Sequence, residues 1–282
     1  MVSDYQVDWA PASYFRGQAR FGGPSSYFGH AENGYQRLRH CDLVEQLKAL
    51  HVDWSQALAL DVGCGDGTLT GRLQDQLGLR AFGCDFEETL VSRAHTSHPE
   101  VVLSVQALPR LAFLGESFDL VLASEVLYYL KESSQVAAID EFCRVLRPGG
   151  YLLLTWVRGE KYFQLGEVRE LLSHGFQEVS LVARHMTLFR LVIRLPYAVC
   201  RLRAFQLEGL QPVSSRQAAR LRRWNWLISA WISRRVILVL ARGSEPLLRS
   251  RLLPRILARL GRCMRLPVTG YSLVALKSTP QQ

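Results

Sequence analysis

Residues 58–69, LALDVGCGDGTL, restrict the fold of this chain more than any other stretch. An apolar run from Ala57 to Leu60 ends at Asp61. Gly63, Gly65 and Gly67 follow at alternate positions, and a helical pattern begins near Thr68. A buried strand that runs into a tight turn and then a helix accounts for every residue of that order. Glycine has no Cβ and tolerates positive φ, so the backbone there can approach a ligand closely. Free N–H groups at the start of the following helix favour an anionic group. Several nucleotide-binding folds share such a loop, so the rest of the chain must choose between them.

A second short apolar run, residues 79–85, ends at Asp85, 24 positions after Asp61. Strand, helix and strand fit in that span. In doubly wound folds an acid at the end of the second strand accepts hydrogen bonds from ribose hydroxyls, a spacing that also suits NAD. Three further segments separate the options. SVQALPRLAFLGESFDLVLASEVLYYL (104–130), CRVLRPGGYLLLTW (143–156) and GEVRELLSHGFQEVSLV (166–182) stand in order after the glycine loop. With that loop they resemble class I S-adenosylmethionine (SAM) methyltransferases: the adenine-binding turn and FDLV strand, the Pro-Gly-Gly turn and fifth strand, and the last helix and sixth strand. The resemblance covers roughly 55–185 plus a short C-terminal strand. It implies a Rossmann-like α/β fold, a seven-stranded mainly parallel sheet with helices on both faces. Strands are expected near 57–61, 80–84, 101–105, 118–123, 150–156, 176–182 and 271–276, the last antiparallel between the fifth and sixth. The alternation of elements supports the same layering.

The resemblance also implies roles for particular residues. Gly63, Cys64, Gly65 and Gly67 pass under the methionine part of SAM, and Asp61 helps hold its amino group. Asp85 binds the ribose, with Phe86 beside the adenine. Ser104 stands where the family usually has an aspartate, with Val105 next to it and Gln106 as the alternative contact. Ser124 closes the fourth strand. Glu125 then faces the methyl group, as a cofactor contact or a base toward an acceptor hydroxyl or amine. Tyr128 and Tyr129 wall the acceptor pocket; a capping Glu125 and packed tyrosines are the structural alternative. The heptapeptide SEVLYYL is also similar to nodulation-factor N-methyltransferases, but fixes no substrate. His30, His40 and His185 are read as packed or surface histidines rather than bases. Cys64 and Cys84 read as small buried filler, and the six scattered cysteines, with no CxxC pair, fit a reduced cytoplasmic protein without structural zinc.

Charge divides the chain. Between Ala183 and Val268 stand 18 arginines, no lysine and two acids, a net of +16; with +9 for the whole chain, the remainder carries −7. Four regions follow: an aromatic cap and helix (1–54), the SAM-binding core (55–184), an arginine-rich helical insertion between the sixth and seventh strands (185–268), and the last strand with its tail (269–282). A helix is expected near 35–50. Because the sixth strand ends at the carboxyl edge of the sheet, where open α/β sheets bind ligands, the insertion is expected beside the active site. Arg190, Arg194 and Arg201 share a face of its first helix. Arg216, Arg220 and Arg223 precede Trp224, Trp226 and Trp231 in its second. A third pattern places Leu253, Ile256, Leu257, Leu260 and Met264 on one face and Arg251, Arg255, Arg259 and Arg262 opposite.

Basic amphipathic helices with bordering tryptophans suit an anionic membrane surface. The N-terminus MVSDYQVDWAP lacks the apolar core of a secretory signal, and no uncharged apolar run reaches 18 residues. The reading is a SAM-dependent methyltransferase acting on O or N of a hydrophobic or amphiphilic small molecule, in the cytoplasm or at a membrane surface. One rival is an RNA methyltransferase that grips phosphates with the insertion. Against it, the Pro-Pro-aromatic turn of amino-base nucleic-acid methyltransferases is replaced here by Ser124-Glu125-Val126. A non-catalytic SAM-binding protein is the other rival.

Overall fold

The computed structural model describes residues 34–158, 163–173, 175–189, 250 and 252–278. In chain order the elements are α1 (Gly34–Lys48), β1 (Leu58–Val62), α2 (Thr68–Leu77), β2 (Arg80–Asp85), α3 (Glu88–Ser97), β3 (Val102–Val105), β4 (Phe118–Ser124), α4 (Glu132–Val145), β5 (Leu146–Val157), α5 (Leu165–Leu172), β6 (Phe176–Arg184), the single turn α6 (Thr187–Phe189), α7 (Leu253–Cys263) and β7 (Gly270–Lys277). The seven strands form one sheet in the order β3-β2-β1-β4-β5-β7-β6. The pairs from β3 to β5 are parallel, and β7 runs antiparallel to both β5 and β6.

The continuous apolar runs of the central strands have a direct cause: both faces of the sheet are covered, so residues of either parity are buried. On one face Leu60 and Val62 of β1, Val121 and Ala123 of β4, and Leu152 and Leu154 of β5 meet Phe142 and Val145 of α4 and Val168 and Leu172 of α5. On the other, Ala59, Leu120, Leu122, Leu153 and Val274 meet Leu43, Val44 and Leu47 of α1 and Leu69 and Leu73 of α2. Each large side chain so buried is worth about 1.5–3 kcal/mol. Among the described residues no helix is long and apolar enough to cross a membrane.

Two strand boundaries differ from the sequence reading by more than one residue. The fifth strand begins at Leu146, not residue 150, because the Pro-Gly-Gly stretch is a bulge inside it rather than a turn before it. Leu146 pairs with Phe118 and Tyr151 with Leu120, so the intervening residues arch out of the ladder. Gly149, at φ +74°, turns that arch. The amino edge of β4 is tied down beside it: Asp119 accepts the Leu58 N–H (2.8 Å) and pairs with Arg147 (2.8 Å). The sixth strand runs on to Arg184, where the Arg184 carbonyl accepts the Thr269 N–H (2.7 Å).

Residues 39–184 and those from 268 onward belong to one compact unit; residues 34–38, 185–189 and the described part of 250–267 belong to a second. In the second unit Met186, Phe189 and Ala258 are buried together, with Leu38, Leu253 and Leu257 packed against them. Here the structure adds which part of the third basic helix's apolar face is turned inward. Leu253 and Leu257 pack inward, whereas Ile256, Leu260 and Met264 are exposed. The helix seats itself through small residues, Pro254, Ala258 and Gly261. A Cβ on Gly261 would stand 3.1 Å from the His185 carbonyl oxygen, so bulk on that face is excluded. The expected first and second basic helices, with His30, the N-terminal aromatic cap and Arg251, lie outside the described residues.

Candidate functional site

The carboxyl ends of β1 and β2 hold the glycine turn. Gly63, Gly65 and Gly67 all have positive φ, between +58° and +74°. Two backbone hydrogen bonds, from the Gly63 and Cys64 N–H groups to the Cys84 carbonyl (2.7 and 3.0 Å), fasten the turn to β2. Gly63 has no room for a side chain, since a Cβ would meet Val126 Cγ2 at 2.4 Å. The glycine turn therefore abuts the turn that follows β4. At Gly65 the space is open: a Cβ would touch nothing within 4 Å.

Asp61 and Asp85 are buried on either side of this turn. The Thr70 hydroxyl donates to Asp61 (2.7 Å), while Asp85 accepts the N–H groups of Gly65 and Glu87 (both 3.0 Å). Burial still prevails, and both carboxyls are pushed up to about 6. Cys64 and Cys84 are buried free thiols, each raised chiefly by burial and further by the neighbouring aspartates. Asp66 is buried too: its Oδ1 accepts the Thr68 N–H (3.1 Å), and its Oδ2 has no hydrogen-bond partner among the described residues. After β3, Ser104 is half-buried and accepts from Gln106 Nε2 (2.9 Å), while Val105 is exposed and Phe86 packs at the border of the core. Gln106 in turn accepts the Ala112 N–H (2.7 Å), which holds the loop leaving β3.

The end of β4 carries another carboxylate, half-buried and in different company. Ser124 shares a hydrogen bond with Thr155 (3.2 Å), and the Glu125 N–H donates to the Thr155 carbonyl (3.0 Å). Glu125 then turns through φ +65°, a left-handed conformation that a glutamate holds only where its surroundings fix it. Its Oε1 lies 3.1 Å from Arg39 Nη1, and Tyr128 donates its hydroxyl to Oε2 (2.8 Å). Burial works to raise Glu125, but the charges of Arg39 and Arg184 and the Tyr128 hydroxyl outweigh it, so its pKa falls below the usual glutamate value. Tyr128 moves the other way: burial, then the Glu125 charge, keep its hydroxyl protonated far into alkali. Tyr129 stacks obliquely on it, ring centres 4.6 Å apart.

The structure thus brings together Asp61, Gly63, Cys64, Gly65, Gly67 and Asp85 at one turn, joins Ser124, Glu125 and Tyr128 at another, and abuts the two through Val126. His40 is buried beside Arg39, and His185 meets the Leu266 carbonyl (3.0 Å). The expectation missed Arg39 and Arg184. One signal was present: Arg39 and His40 fall one helical turn before Leu43 and Val44, so they lie on the apolar face of α1, and buried charge of that kind needs a partner.

The acid-lined turn fits SAM on its own chemistry. Asp61, Asp85 and the free oxygen of Asp66 are acceptors gathered in a water-poor place, and they call for a ligand rich in N–H and O–H donors and bearing positive charge. An ammonium, a sulfonium and two ribose hydroxyls answer that description.

Known proteins agree. Residues 59–150 match the family model of the methyltransferase domain. An uncharacterized methyltransferase of Mycobacterium tuberculosis is 33% identical over 149 residues, 51% of this chain and 56% of its own. The demethylmenaquinone methyltransferase of Beutenbergia cavernae is 31% identical over 129 residues, covering 41% and 52%. The chain spans about half the length of these curated relatives. Among solved structures, the N-methyltransferase NodS from Bradyrhizobium japonicum, in complex with S-adenosylhomocysteine, shares the fold at TM-score 0.51 and 22% identity over 60% of this chain and 89% of its own. A sheet of this order, with its glycine turn inside the matched segment, leaves one assignment: the chain carries a class I, SAM-dependent methyltransferase domain.

Proposed function

We propose that this protein is a SAM-dependent methyltransferase that acts in the cytoplasm on an oxygen or nitrogen of a hydrophobic or amphiphilic small molecule, at or near an anionic membrane surface. SAM supplies a methyl group already activated on a sulfonium, so the chain's task is to position the acceptor and accept its proton. Asp61 and Asp85, with Gly63, Cys64, Gly65 and Gly67, would hold the cofactor's amino acid and ribose parts. Phe86, Ser104 and Val105 would border its adenine, and Ser124 would close the site at β4.

The observation that carries the reading is Glu125. It is a carboxylate in a left-handed backbone conformation, with both oxygens engaged, on a turn that touches the glycine loop. It takes the acceptor's proton, or orients the acceptor by accepting its hydrogen bond, while Tyr128 steadies the second carboxylate oxygen. The hydrophobic character of the acceptor draws on the named relative that acts on demethylmenaquinone, and the membrane part on the arginine-rich segment 185–268, which we take as a functional insertion.

The test is formation of S-adenosylhomocysteine from SAM against a panel of amphiphilic phenols, quinols and amines. Wild type should turn over at least one class, and Glu125→Gln should lower kcat about 100-fold or more with SAM affinity retained. SAM binding without turnover across the panel would favour the non-catalytic reading. Turnover on RNA that falls steeply with salt would replace the small-molecule acceptor.

A further inference from the structure

An amphipathic helix in a folded protein ordinarily turns its large apolar side chains inward. The helix α7 does the reverse. Its buried residues are Pro254, Ala258 and Gly261. Leu252, Ile256, Leu260 and Met264, spaced four apart and so aligned along one side, are 66%, 53%, 46% and 61% exposed. Gly261 favours this orientation of the helix: a Cβ there would stand 3.1 Å from the His185 carbonyl oxygen, tighter than an ordinary contact. Leu253 and Leu257 already supply the inward apolar contact. Among the described residues, therefore, the outward stripe is surplus to the packing of this unit.

What borders the stripe identifies its occupant. Arg255, Arg259 and Arg262 are exposed beside it, and none makes an ion pair among the described residues. No acidic residue occurs anywhere in the chain after Glu245. A protein groove would have to offer apolar depth and a rim of at least three carboxylates in register. An anionic bilayer offers both everywhere on its surface, acyl chains beneath and phosphates above. Guanidinium heads on flexible stems reach phosphates while the stems lie along the apolar boundary. A helix of this length, about 16 Å at 1.5 Å per residue, lies in the interface without spanning it.

We infer that the exposed face of α7, Leu252, Ile256, Leu260 and Met264 flanked by Arg255, Arg259 and Arg262, is a docking surface for an anionic lipid bilayer. This deepens the membrane part of the proposed function and rests on it; methyl transfer does not depend on it.

The full chain is sedimented with vesicles of equal phosphatidylglycerol and phosphatidylcholine, and with phosphatidylcholine alone, at low and at 0.5 M salt. Wild type should partition onto the anionic vesicles at least tenfold more strongly than onto neutral ones, and salt should weaken it. Ile256→Glu with Leu260→Glu lies on the exposed side and should fold normally by circular dichroism and bind SAM as wild type does. It should lose tenfold or more of the vesicle binding. The triple change of Arg255, Arg259 and Arg262 to Gln should remove the salt dependence first. If the double variant binds vesicles like wild type, α7 is not the docking face, although the membrane reading survives. If wild type binds no vesicle, both fall together. If sedimentation equilibrium without lipid shows a wild-type dimer that the double variant loses, the stripe belongs to a second copy and the inference is overturned.

Discussion

Three carboxylates sit at neighbouring strand ends, two buried and one half-buried, and they are displaced in opposite directions. Asp61 and Asp85, at the ends of β1 and β2, are raised to about 6. Glu125, after β4, is lowered. Burial pushes all three the same way, so neighbours decide the outcome. The aspartates are met mainly by a hydroxyl and backbone N–H groups, neutral donors that do not offset their desolvation. Glu125 is met by a guanidinium at 3.1 Å. One region leaves its acids short of positive charge and suits a cationic ligand; the other brings its own guanidinium and keeps its carboxylate ionised, able to accept a hydrogen bond. That contrast is the physical basis on which the proposed cofactor and acceptor places are told apart.

Removing Arg39 tests the comparison hardest. Arg39→Ala removes a buried guanidinium, leaves the half-buried Glu125 without its nearest cation, and should cost about 3 kcal/mol in urea-melt stability, with Lys recovering part. It should also move the acidic limb of the activity–pH profile upward; an unshifted limb would mean that Arg39 only packs α1. Next in size is the contact between the two regions. Gly63→Ala meets both the Val126 methyl and a positive φ, and should lose about 2–3 kcal/mol and most SAM affinity. Because the clash is with one side chain, adding Val126→Ala should restore part of the loss, and coupling below about 0.5 kcal/mol would show that the turns do not touch.

A smaller effect is expected at the ribose acid. Asp85→Asn should weaken SAM binding about 30- to 100-fold by calorimetry while leaving Glu125-dependent pH behaviour in place. The smallest is the pH response itself. For groups raised from 3.8 to about 6, the stability they lend the ligand-free protein is full below 3.8 and is lost as pH rises through 6. A cationic ligand favours their ionised forms, so SAM binding should tighten about tenfold per group between pH 5 and 7. Binding near pH 6 should release protons, visible as buffer-dependent enthalpy. Glu125 has the opposite sign: its contribution is present above the usual glutamate value and lost as pH falls through its lowered one.

The glycine turn and Asp61 were legible in the sequence because their geometry is local: strand end, positive-φ glycines and helix start lie within a dozen residues, whereas Asp85 was legible through the strand, helix and strand that its 24-position spacing allows. A mainly parallel sheet covered on both faces followed from the alternation, since buried parallel strands read as unbroken apolar runs; the place of the seventh strand was implied only by the family resemblance. Arg39 was not legible as a partner because Glu125 lies 86 positions away, and only the fold joins α1 to the end of β4. The Pro-Gly-Gly stretch read as a turn because those residues usually end strands, and register with β4 made it a bulge. For α7, periodicity revealed two faces but not which was inward; one steric fact at Gly261 decided it.

The pairing of Arg184 with Gly270 has a consequence of another kind. The chain leaves the sheet after Arg184 and rejoins it at Gly270, on one rung of an antiparallel ladder. Insertions there leave the register of the seven strands untouched, and lengthening such a loop costs only about 0.6 kcal/mol per doubling. This ladder works as a socket. The methyl-transferring sheet can accept, exchange or shed an accessory segment at that point, so the choice of what the enzyme docks to and the chemistry it performs are free to evolve separately.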